Sequence, residues 1–162
     1  MALIDIYVAD NSRSDIVLWV DSALTSKDIG IQDVQDLADY VTARCSAGDK
    51  LRELRIVGHG NPKGQWIGSD WVTSGILHLY AKNFHRIARC FAHPDGFVTM
   101  GGCKVGQNPI LLGQLSAYFR VPVRAFTSSQ NPVIPGDEGT EIKCYMLSCT
   151  KGKPGIADYF DY

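Results

Sequence analysis

Short apolar runs with strand chemistry alternate with amphipathic stretches of about a dozen residues, and nothing else in the chain constrains its fold as tightly. Leu54-Arg55-Ile56-Val57 and Phe97-Val98-Thr99-Met100 are the clearest runs, and each stops abruptly at glycine. Leu3–Ala9, Ile16–Val20, Val121–Phe126 and Glu141–Cys149 read as further strands. Helical spacing relates Val34, Leu37, Ala38, Val41 and Cys45 from Asp33 onward, with Gly48 just past the end as a stop. A second helix carries Ile76, Tyr80, Phe84, Ile87 and Phe91, with Thr73 or Ser74 as its cap and His93-Pro94-Asp95-Gly96 as its breaker. Asn108-Pro109 opens a third, a capping side chain followed by proline at the first helical position, ahead of Ile110, Leu111, Leu115, Tyr118 and Phe119. Strands and helices in such alternation predict right-handed crossovers: an α/β fold, here a three-layer α/β/α sandwich with a mostly parallel sheet.

With 162 residues the chain suits a single domain, placed at residues 1–150 and followed by a loosely held tail at 151–162. Lysine and arginine total 16 against 17 acidic residues, so the basic excess of a nucleic-acid or anionic-membrane protein is missing, and neither partner is expected. No apolar run is long enough to span a bilayer, and Leu3-Ile4-Asp5-Ile6 is unlike a secretory leader. Five scattered cysteines, Cys45, Cys90, Cys103, Cys144 and Cys149, point to free thiols and a reducing, cytoplasmic setting.

Gly58-His59-Gly60 and Gly101-Gly102-Cys103 each place one reactive side chain where a strand ends. Functional groups in open α/β sheets gather beyond the carboxyl ends of the strands, and one helix-containing crossover separates these two, so they are expected on neighbouring strands. A thiol beside an imidazole supplies a nucleophile and a proton carrier, the requirements of acyl transfer. Glycine lets substrate approach the backbone, and the N–H groups of Gly60 and Cys103 are the candidate oxyanion donors. The loop after Phe126, with Ser128, Ser129, Gln130 and Asn131, is placed to line the substrate cleft.

Arg55-Ile56-Val57-Gly58-His59-Gly60 and Val98-Thr99-Met100-Gly101-Gly102-Cys103 resemble the two motifs of the caspase-like cysteine peptidases, in which one strand ends in His-Gly and the next core strand in a small residue plus cysteine. The resemblance implies His59 as acid/base, Cys103 as nucleophile and Gly60 in the oxyanion hole. It covers the core from Leu54 to Phe126. Lys104-Val105-Gly106 follows the cysteine where caspases carry Arg-Gly, and no activation linker is visible, so the likeness is nearer to bacterial caspase-like domains that act on one partner or on their own polypeptide. Peptide-bond hydrolysis without metal or cofactor is the expected activity, with a protein or peptide substrate and an activating protein as a candidate partner. A non-catalytic interaction module on the same fold is the alternative.

Other motifs carry less. Gly58–Gly64 misses the dinucleotide-loop spacing, and Gly101–Gly106 lacks the Gly-Lys-Ser/Thr ending of a phosphate loop. His78, His85, Cys90 and His93 follow no zinc-ligand spacing, and Cys144 and Cys149 have no partner pair. Trp66 and Trp71 are expected to cover a sheet edge. Asp137-Glu138 would suit a basic residue before the scissile bond, and Arg124 an acidic one.

Overall fold

The computed structural model describes residues 1–10, 30–128 and 139–153. Their backbone forms a six-stranded sheet and a separate three-stranded sheet. In chain order the elements are β1 (Leu3–Ala9), α1 (Val34–Cys45), β2 (Lys50–Val57), β3 (Gly60–Asn61), β4 (Gly64–Ile67), β5 (Asp70–Thr73), α2 (Ala81–Ala88), β6 (Phe97–Met100), α3 (Pro109–Phe119), β7 (Val123–Phe126), β8 (Glu141–Tyr145) and β9 (Ser148–Lys151). The large sheet runs β1-β2-β6-β7-β8-β9; its first four strands are parallel and the last two are added antiparallel. The protein is therefore a mixed α/β domain with a mostly parallel sheet. The second strand expected at Ile16–Val20 and most of the 151–162 tail lie outside the described residues.

Because β1, β2, β6 and β7 follow one another in space in the order they occur in the chain, right-handed crossovers place α1, α2 and α3 on the same face. Ile6, Val8, Leu54, Ile56, Val98, Met100, Val123 and Ala125 turn to that face and join Leu37, Val41, Phe84, Ile87, Leu112, Leu115 and Phe119 of the helices in one core. The second helical layer expected from the sequence is not found among the described residues. On the opposite face, alternate strand positions carry a polar network instead. Buried Glu53 accepts from Thr99 Oγ1 at 2.8 Å and from Arg55 Nε at 3.2 Å, while Arg124 donates to Thr99 at 2.8 Å and to Glu141 at 3.2 Å. Arg124 also lies 4.6 Å over the Phe97 ring, so the guanidinium offered above for an acidic substrate residue is engaged within the sheet.

Local signals explain most boundaries. Asp33 caps α1 by accepting from Asp36 N–H, and Asn108 caps α3 by accepting from Leu111 N–H, with Pro109 in the first turn. Two expectations are corrected. Thr73 belongs to β5, and α2 is entered through a 3-10 turn at Leu77–Tyr80 with no side-chain cap. Glu141–Cys149 is not one strand: β8 and β9 fold back as a hairpin in which Cys144 faces Cys149 and bonds to it. That disulfide removes the premise of five free thiols on which the reducing compartment rested. No described helix is long and apolar enough to cross a membrane.

Candidate active site

β2 ends at Val57 and β6 at Met100, and the two strands pair directly from Glu53↔Phe97 to Ile56↔Met100. His59 and Cys103 therefore leave adjacent parallel strands at the same end of the sheet. The backbones that carry them then meet. A Cβ on Gly60 would stand 3.0 Å from Gly102 Cα and 2.8 Å from Val105 Cγ2, a contact only glycine permits. Both reactive side chains are half-buried.

A residue not foreseen in the sequence holds this end of the sheet together. Gln65 is wholly buried on β4; its Nε2 donates to Ile56 C=O at 2.8 Å, and its Oε1 accepts from Gly102 N–H at 2.7 Å. One amide thus ties the end of the histidine strand to the residue preceding the cysteine. Gly101 N–H adds a direct bond to the same Ile56 carbonyl at 2.7 Å. The available signal was a glutamine in the otherwise apolar strand Gly64–Ile67, where a buried amide must find partners.

The hairpin also sets the direction of one candidate donor. Gly60 faces Gln65 across β3 and β4, and Trp66 N–H donates to His59 C=O at 2.8 Å. That bond makes Gly60 and Gln65 a non-hydrogen-bonded pair, so Gly60 N–H points out of the hairpin rather than into it. After Cys103 the chain turns sharply. Lys104 adopts a left-handed conformation at φ 58°, its N–H donates to Ser128 C=O at 3.0 Å, and a short 3-10 turn at Val105–Gln107 leads into α3. A non-glycine residue held there stores about 1–3 kcal/mol of strain, a feature that clusters at functional sites.

Ser128 sits against the cysteine turn through its carbonyl oxygen. Ser129, Gln130 and Asn131, with Asp137 and Glu138, lie outside the described residues. Trp66 and Trp71 are cross-strand partners in the small sheet, their tilted rings 5.2 Å apart. No group of three or more histidine, cysteine or acidic side chains suited to a metal ion occurs among the described residues.

Fold and site together define an α/β domain with an imidazole and a thiol at the carboxyl ends of paired parallel strands. No protein-family model, curated protein or solved structure matches the chain.

Proposed function

We propose that the protein is a caspase-like cysteine endopeptidase with a Cys103–His59 dyad. The observation that carries this reading is the meeting of Gly60 with Gly102 beyond the ends of β2 and β6, which brings the histidine and cysteine segments into contact around a backbone stripped of side chains.

In the proposed reaction Cys103 Sγ attacks the carbonyl carbon of the scissile peptide as His59 takes the thiol proton. The carbonyl oxygen gains negative charge and is met by the N–H groups of Gly60 and Cys103. Collapse of the tetrahedral intermediate breaks the C–N bond, and His59 passes its proton to the departing amine. His59 then removes a proton from water, which attacks the thioester and restores the thiol. The outward direction of Gly60 N–H supports its part in this scheme, and the second proposed donor, Cys103 N–H, follows directly on Gly102, whose own N–H is held by Gln65.

Incubation with a mixed-sequence peptide library, read as new amino termini by mass spectrometry, tests the reading. Cleavage that disappears in both Cys103→Ala and His59→Ala is expected. Cleavage that survives either change, or none by wild type while the isolated Cys103 thiol also behaves as an ordinary one, would sink it in favour of an interaction module.

A further inference from the structure

At the opposite pole of the sheet lies a second thiol centre. Cys45 is the last residue of α1, and Cys90 follows α2; the two helices pack side by side, and both cysteines line one surface groove of about 310 Å³. The groove is reached near Lys50, where β2 begins, whereas the Cys103 site lies beyond Val57, where it ends. Eight residues of strand separate them, roughly 25 Å.

The two thiols lie near enough to influence each other's titration, and Cys90 Sγ donates to Arg86 C=O at 3.8 Å. The relation is asymmetric. Burial pushes the Cys45 thiol up to about 12, and Cys90 reinforces that shift. Burial raises Cys90 as well, but the Cys45 hydrogen bond, Lys50 and Arg86 all oppose the rise. Around the pair the groove presents Lys50, Arg86 and Arg89 against Asp49; Arg86 is paired with Asp39 at 2.7 Å, so Lys50 and Arg89 carry the positive surplus.

We propose that Cys45 and Cys90 form a redox-modifiable dithiol site whose co-substrate is a small anionic disulfide bound against Lys50 and Arg89. Cys90 is the attacking sulfur and Cys45 the resolving one. As its thiolate, Cys90 attacks one sulfur of the bound disulfide; that S–S bond breaks, one small thiolate leaves and takes up the proton lost by Cys90, and a mixed disulfide forms on Cys90. Cys45 then loses its proton and attacks Cys90 Sγ, expelling the second small thiol with that proton. The protein gives up two electrons and the small disulfide becomes two thiols. The product joins the ends of α1 and α2 at the pole remote from Cys103.

The test uses the full chain carrying Cys103→Ser, so that only this pair is read, exposed at pH 8.5 to oxidised glutathione or to uncharged 2-hydroxyethyl disulfide at equal concentration. Peptide mapping should find a Cys45–Cys90 disulfide that forms severalfold faster with oxidised glutathione. A Lys50→Gln/Arg89→Gln variant should lose that preference. With Cys45→Ser added, checked for native circular dichroism, one glutathionyl group should remain on Cys90. The proposal is overturned if the two thiols stay reduced while a peptide thiol in the same tube is oxidised, if both reagents react at one rate, or if the Cys45→Ser chain carries its adduct elsewhere.

Discussion

Gln65→Met asks whether one buried amide sets the geometry of the cysteine turn. Methionine keeps the length and burial of the side chain and removes both hydrogen bonds. The two losses are unequal. Ile56 C=O keeps the Gly101 N–H at 2.7 Å, so losing Gln65 Nε2 costs it about 1 kcal/mol. Gly102 N–H would instead be left buried without its acceptor, at about 1–3 kcal/mol. Together these amount to about 2–4 kcal/mol, which for a domain of this size lowers Tm by about 4–16 °C. Release of Gly102 also frees the following residue to shift, and misplacement on the order of 1 Å costs a reacting group tenfold or more. Thermal unfolding by circular dichroism and the rate of Cys103 alkylation give the two readouts. A Tm within about 2 °C of wild type would refute the energetic argument. A lowered Tm with unchanged Cys103 alkylation would refute the positioning argument.

Gly60→Ala, whose new methyl would stand 2.8 Å from Val105 Cγ2, should cost about 1–3 kcal/mol and slow Cys103, whereas Gly75→Ala, with open space around it, should do neither. Asn108→Ala removes the α3 cap and should cost about 1 kcal/mol in urea unfolding, leaving Cys103 reactivity unchanged. Alkaline pH tests Cys45, which faces Cys90, Lys50 and Asp49. Its folded pKa of about 12 exceeds the ordinary 9.0, so its contribution to stability is whole below about pH 9 and drains away as pH climbs toward 12. The fall in Tm between about pH 9 and 11 should therefore be shallower in Cys45→Ala than in wild type, and a parallel fall would contradict the assignment.

What was legible in the chain was what local chemistry decides. Asn108-Pro109 announced its helix because a cap acts on amides within its own first turn, and the spacing of Val34, Leu37, Ala38 and Val41 announced α1. Leu54–Val57 and Phe97–Met100 announced two strand ends because an apolar run stopped by glycine leaves few alternatives. What was not legible depended on neighbours distant in sequence. Strand order decides which face a crossover helix covers, and no local pattern encodes order. The β8–β9 turn passes through Met146 at φ 55°, a conformation its side chain disfavours, and it is held by Ser116 Oγ, which accepts Met146 N–H at 2.5 Å. Tertiary contact there overrides a segment that reads as one continuous strand. Gln65 escaped notice for a related reason: its two partners come from β2 and from the turn after β6, elements brought together only by the finished sheet.

The measurement that bears most directly on the dyad is the pH dependence of iodoacetamide labelling at Cys45, Cys90 and Cys103, resolved by peptide mass mapping in wild type and His59→Ala. The raised pKa values of Cys45 and Cys90 make them slow internal references. Cys103 should label fastest near neutral pH, and His59→Ala should abolish the advantage. A Cys103 that labels no faster than Cys45 or Cys90, or whose rate ignores the loss of His59, would contradict it.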